Sequence, residues 1–191
     1  MGAEIAGKRV LVSGGAGFLG SWLTAALKAK RPASITVPRS RDCDLRSREA
    51  TDRLFQQTKP QIVIHAAARS GGLDFHLAFP ADIFRDNLQM VINVLEASRQ
   101  HGVETLVMIG SSCAYPGELS GLFKEEQVGH GPLHQSTAPF GFSKRAALLG
   151  AQAYRQQYGL RAITLIVTNL YGPGDHFELQ HAHVVPALIR R

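Results

Sequence analysis

Residues 10–20, VLVSGGAGFLG, pass from a short apolar run into a segment of helical periodicity through three glycines spaced three apart: Gly14, Gly17 and Gly20. No other stretch constrains the fold as strongly. A short apolar run that ends in glycines reads as a buried strand, and the segment after it as a helix. Gly14 permits the tight turn between them, Gly17 lets the backbone approach a pyrophosphate, and Gly20 lets the helix pack closely on the sheet. Amide groups at the start of the helix then face phosphate oxygens. A glycine triplet alone is a weak signal; a strand before it and a helix after it make it a dinucleotide-binding signal.

The alternation continues along the chain. Strands are expected at 8–15, 34–38, 61–68, 105–112 and 161–172. Helices are expected at 18–30, stopped by Pro32, and at 47–58, opened by the Ser47 cap. Two long helices follow, 81–102, closed by Gly102, and 139–159, with Pro at its start and Gly at its end. Residues 184–191 begin a further helix. Strands separated by helices in this rhythm require a parallel sheet with right-handed crossovers. The expected class is therefore α/β, a doubly wound, Rossmann-like parallel sheet, with 1–191 as one dinucleotide-binding domain. Residues 114–138 form the longest irregular piece, and loops of that length are usually functional.

Composition narrows the function. The chain has 191 residues, 45% hydrophobic and 19% charged, which suits a soluble domain with a sizeable core. No apolar run reaches the ~18–20 residues of a membrane span. The start, MGAEIAGKRVLVSGG, has no basic region followed by a long apolar stretch, and Ala6 stands where a myristoylation motif wants Ser or Thr. A cytoplasmic protein without a membrane partner is expected. Cys43 and Cys113 form no metal spacing and no disulfide framework. The net charge of +6 is scattered, with no Lys/Arg block and no aromatic platform, so a small polyanionic ligand is expected rather than nucleic acid.

The end of the second strand, VPRSRD, bears on which dinucleotide is bound. An acidic residue there binds the ribose hydroxyls of NAD, whereas Arg39 and Arg41 suit an added phosphate. NADP is the expected cofactor. A solvated basic loop, balanced by Asp42 and Asp44, is the alternative. Asp44 and Leu45 are candidates to flank the adenine.

The motifs GGAGFLG, HAAARSGG, PADIFRDN, GSSCAYP, FGFSK, QAYRQQYG, TNLYGPGD and HVVPALIRR occur in this order and cover essentially the whole chain. With them the sequence resembles the extended short-chain dehydrogenase/reductase family, and most closely its GDP-L-fucose synthase branch. The resemblance implies an NADP-dependent nucleotide-sugar epimerase/reductase acting on GDP-4-keto-6-deoxymannose or a similar substrate, as a homodimer. It also implies a small C-terminal substrate lobe that is missing here, so a chain truncated after ALIRR is expected.

Residue by residue, the resemblance assigns catalysis to Ser111, Cys113, Lys144 and His183, with Phe140 in the place of a catalytic tyrosine. Lys144 would hold the nicotinamide ribose. Cys113 and His183 would move protons at the carbons beside the keto group; free thiols and imidazoles ionise near pH ~8.5 and ~6.5, within reach of neutrality. Phe18, Leu19, Ala66, Ala67, Asn169, Leu170 and His183 join the glycines in the cofactor site. Ser112, Asn169 and Arg191 would contact the substrate, and Asn87 would support the active-site backbone. No metal is implied.

Phe140 sits one helical turn before Lys144, on the same face. Its missing hydroxyl would impair ketone reduction, because losing a general acid typically costs about 10²–10⁴-fold. Three readings stand: a Tyr-to-Phe replacement that traps a complex, a member with an altered redox step, or an ordinary core aromatic. A non-catalytic dinucleotide-binding module and another nucleotide-sugar epimerase or dehydratase are the competing functions.

Overall fold

The computed structural model describes residues 4–175, 177–178 and 184–190. Its strands are β1 (Arg9–Ser13), β2 (Ser34–Thr36), β3 (Ile62–His65), β4 (Thr105–Ile109) and β5 (Ala162–Leu165). Its helices are α1 (Phe18–Lys28), α2 (Arg48–Thr58), α3 (Leu73–Ala78), α4 (Pro80–Gln100), α5 (Ala138–Tyr158) and α6 (Val184–Arg190). The strands form one sheet in the order β2-β1-β3-β4-β5. Every pairing is parallel, with Val12 opposite Ile64 and Val107 opposite Ile163. The expected doubly wound, Rossmann-like sheet is what forms.

The central strands β1 and β3 read as continuous apolar runs because both of their faces are covered. Leu11, Val63, Leu106 and Met108 point to one face, where Phe55 of α2, Val91, Val94 and Leu95 of α4, and Ala147 of α5 close over them. Val10, Val12, Ile62 and Ile64 point to the other, under Leu23 and Leu27 of α1. Fully burying one such aliphatic side chain is worth roughly 1.5–3 kcal/mol.

The helix ends follow local chemistry. Ser47 caps α2 by accepting from the Ala50 amide at 3.2 Å. Gly159 ends α5 in the left-handed conformation, φ 70°, which costs glycine nothing. Proline occupies the first turn of both α4 and α5, where its missing N–H goes unused.

Two expectations are corrected. β5 stops at Leu165 rather than running to 172: the Gly110 and Ser112 amides still donate to the Leu165 and Val167 carbonyls, at 2.8 and 3.0 Å, but the 3-10 turn at Ser112–Ala114 then takes the segment after β4 away from it. The second correction is α3, which no sequence period announces: it has six residues, fewer than two turns. The expected irregular stretch before α5 contains two short 3-10 turns and an isolated antiparallel bridge between Pro116 and Leu133.

The order β2-β1-β3 means that successive strands are added on opposite sides of β1. Such a switch point leaves a crevice outside the carboxyl ends of β1 and β3, where α/β sheets bind ligands.

Candidate functional site

The glycine turn fills that crevice's floor. Gly14 has φ 71°, and a Cβ there would lie 2.6 Å from the Ala67 amide nitrogen. A Cβ on Gly20 would fall onto the Gly14 carbonyl oxygen. Both glycines are thus required by close backbone approach. Gly17 stands at the N-cap of α1, which has no side-chain cap and no acidic residue in its first turn. Its leading amides have no competing side chain and suit an anion.

Above the turn lies a cleft of about 660 Å³. Gly14, Gly17, Arg39, Arg41, Asp44, Leu45, Ala66 and Ala67, all expected in a cofactor site, line it together. Phe18, Leu19 and Leu170 line a separate, smaller cleft of about 270 Å³ beside Trp22 and Tyr171. Gly20 lies beneath the turn. The cradle that a Cβ would fill, the uncapped helix start and the two arginines fit a dinucleotide.

Charge at the cleft is divided unevenly. Arg41 reaches Asp42 at 3.5 Å, with both side chains largely exposed, while Arg39 joins no ion pair among the described residues. Asp44 is committed to Arg46 at 2.8 Å, and hydrogen bonds from Arg46 hold its carboxyl below the usual range. Asp86, buried at 2%, was not anticipated. It receives Arg69 at 2.7 Å, Arg46 at 3.0 Å and Arg85 at 2.9 Å. Burial acts to raise its carboxyl, but the bonds from the three arginines outweigh burial and hold it low. Asn87 clamps the same wall: it accepts from the Arg69 amide at 2.8 Å and donates to the Arg69 carbonyl at 2.9 Å.

The second half of the site forms where β4 ends. Ser111 caps the turn Ser112–Ala114, its Oγ accepting from the Cys113 amide at 3.2 Å. The Ser112 amide donates to the Val167 carbonyl at 3.0 Å. α5 packs directly on this turn, since a Cβ on Gly141 would strike the Cys113 carbonyl oxygen. Arg145 stitches the preceding loop to α5, donating to the carbonyls of Ala114 at 2.6 Å, Gly131 at 2.8 Å and His130 at 2.9 Å.

Phe140 and Lys144 are both buried, on the face of α5 turned toward this site. The Lys144 ammonium donates to the Ile109 carbonyl at 2.8 Å and lies 5.3 Å from the centroid of the Phe140 ring. Burial pushes its pKa down to about 8, partly offset by Cys113. His65, at the end of β3, bonds Ser13 Oγ through Nδ1 at 2.7 Å. Burial, then Lys144, pushes its pKa down to about 3, so this imidazole is neutral.

Asn169 is exposed on the segment after β5. His183 and Arg191 lie outside the described residues. Among the described residues, no helix is long and apolar enough to cross a membrane, and no three His, Cys, Asp or Glu gather as a metal site. Sequence reasoning assigned no role to Arg69, Asp86, Arg145 or His76; the runs HAAARSGG and PADIFRDN, quoted as motifs, contain the first two.

Comparison with known proteins agrees with this architecture. The protein is 40% identical over 185 residues to a GDP-L-fucose synthase of Sinorhizobium fredii, covering 97% of this chain and 59% of that protein. It is 36% identical to a GDP-L-fucose synthase of Dictyostelium discoideum, covering 98% of this chain and 60% of that one. The chain thus spans about three-fifths of the length of these curated relatives. Its structure superposes on a GDP-L-fucose synthetase from Naegleria fowleri bound to NADP with TM-score 0.86 and 30% identity, over 94% of this chain and 59% of that one. A Campylobacter jejuni GDP-D-glycero-L-gluco-heptose synthase, solved with NADPH, gives TM-score 0.92 at 29% identity, over 99% of this chain and 55% of that one. The profile of the NAD dependent epimerase/dehydratase family matches residues 10–191, from β1 to the last residue, and the chain belongs to that family.

Proposed function

We propose that this chain is the dinucleotide-binding part of an NADP-dependent nucleotide-sugar epimerase/reductase resembling GDP-L-fucose synthase. One observation carries the reading: α5 sets Lys144 against the Ile109 carbonyl and Gly141 against the Cys113 carbonyl, so a buried cation and a thiol-bearing turn lie together where β4 ends. The solved relatives with NADP or NADPH, together with Arg39 and Arg41 at the cleft, support NADP.

In this reading Gly14, Gly17 and the first amides of α1 hold the pyrophosphate, Arg39 and Arg41 meet the added phosphate, and Lys144 holds the nicotinamide ribose. Bound nicotinamide supplies the hydride chemistry. Cys113, with His183 as its partner, exchanges protons at the carbons beside the ketone; Ser111 orients the carbonyl, and Ser112, Asn169 and Arg191 contact the nucleotide sugar. Phe140 offers no proton, so reduction is depressed by about 10²–10⁴-fold while exchange survives. The pair Phe84–Phe142, rings 5.7 Å apart and 41% and 48% exposed, supports a homodimer through α4 and α5.

Titration with NADPH by fluorescence tests the cofactor. Deuterium wash-in to GDP-4-keto-6-deoxymannose tests the chemistry: Cys113-dependent exchange with slow reduction is expected, and recovery of reduction in Phe140→Tyr. Binding without exchange would leave the second reading, a non-catalytic NADP-binding module, which Phe140 favours.

A further inference from the structure

α3 brings to Phe140 a pair of groups that none of the roles above uses. His76 is 7% exposed, and its ring meets the Phe140 ring edge-on, centroids 5.4 Å apart and planes at 75°. Its Nε2 lies 3.3 Å from the Oγ of Ser70, an exposed residue on the loop between β3 and α3. The same Phe140 ring has the Lys144 ammonium 5.3 Å from its centroid. A carbonyl seated at this ring receives no proton from Phe140. Lys144 is tied to the Ile109 carbonyl at 2.8 Å. A serine hydroxyl both donates and accepts, and an imidazole gains and loses a proton near neutral pH, so the two together form a relay from a buried group to an exposed one.

We propose that Ser70 and His76 are the proton-donating pair of the exchange step, delivering to the substrate's carbonyl oxygen there the proton that Phe140 cannot give. The proposal rests on the epimerase reading above. Ser70 touches the carbonyl oxygen, and His76 acts through Ser70. In the exchange step the Cys113 thiolate takes a proton from the carbon beside the ketone, and the C–H pair becomes a C=C bond. The C=O π pair moves onto oxygen, which takes the Ser70 hydroxyl proton. Ser70 takes the Nε2 proton of the His76 imidazolium, leaving a neutral thiol and a neutral imidazole. The return step reverses these transfers, and nothing is oxidised or reduced.

The test measures deuterium wash-in from D2O into GDP-4-keto-6-deoxymannose by the full chain. Ser70→Ala, on an exposed loop, and His76→Gln should each slow exchange by about 10²-fold while Phe140 is kept. In a Phe140→Tyr background the same two changes should cost under roughly tenfold, because the phenol then donates. Equal losses in both backgrounds, or Ser70→Ala within roughly twofold of the parent, would overturn the pair and leave the epimerase reading intact. Absence of Cys113-dependent exchange in the parent would overturn both. A second readout is independent of turnover. In ¹⁵N-histidine spectra, assigned with His76→Gln, Ser70→Ala should shift the His76 Nε2 signal, because that nitrogen loses its hydroxyl partner; an unmoved signal would overturn the proposal.

Discussion

The Lys144 ammonium donates to the Ile109 carbonyl oxygen at 2.8 Å, fastening the second turn of α5 to the last residue of β4. That bond joins a helix and a strand that a long loop separates in sequence. It also places a cation where water is scarce, which is why its pKa falls to about 8.

The sign of this shift gives a stability prediction. The unfolded lysine titrates near pH ~10.4, above the folded value, so unfolding takes up a proton in the window between them. Stability of the parent should therefore rise with pH from about 8 to about 10.4, by roughly 2–3 kcal/mol relative to Lys144→Met, which lacks the ionisation. Urea unfolding of both proteins at a series of pH values checks it; a gap that does not change with pH is the contrary result.

His65 acts at the other end of the scale. Its folded pKa of about 3 lies below the ordinary value of 6.5, so unfolding takes up a proton across that window and stability falls as pH drops through it. The slope attributable to one such group is at most about 1.4 kcal/mol per pH unit. His65→Gln should unfold with a shallower acid dependence below about pH 6.5, read from thermal melts between about pH 4 and 7.

Gly20→Ala puts a methyl group onto the Gly14 carbonyl oxygen. Overpacking of this kind costs about 1–3 kcal/mol, and the displaced turn should weaken NADPH binding more than tenfold, on the order of the 1.4 kcal/mol that a factor of ten represents. Gly102→Ala is the control: φ is 66° and no atom lies within 4 Å of the added Cβ. It should cost roughly 1–2 kcal/mol of strain and leave NADPH affinity unchanged in fluorescence titration.

Arg39→Ala removes from the cleft a guanidinium that joins no ion pair among the described residues. NADPH affinity should fall by about tenfold or more and NADH affinity stay within a factor of about two, since charge-assisted bonds to an anion are worth roughly 1.5–3 kcal/mol. Equal weakening for both coenzymes would assign Arg39 to the shared pyrophosphate or to the fold.

The residues that could be read directly are those whose reason is local. The turn at Gly14, Gly17 and Gly20 follows from what lies immediately before and after it. The Ser47 cap and the Gly159 stop follow from bonds that close within four residues. Alternating apolar segments then leave little choice but a parallel sheet. The shortening of β5 and the existence of α3 were not readable, because the first depends on where β4 turns away and the second is shorter than its own signal.

Phe140 shows the division most sharply. Its place one turn before Lys144 is written in the chain, and so is the absence of a hydroxyl. That its ring meets both Lys144 and His76, and that Asp86 collects arginines from positions 46, 69 and 85, depended on how separate helices and loops come together. Local pattern expresses interactions among neighbours in sequence, whereas the charge cluster at Asp86 draws on Arg46 and Arg69, far from it in the chain. Burial then sets their strength, by removing the water that would otherwise weaken every one of these contacts.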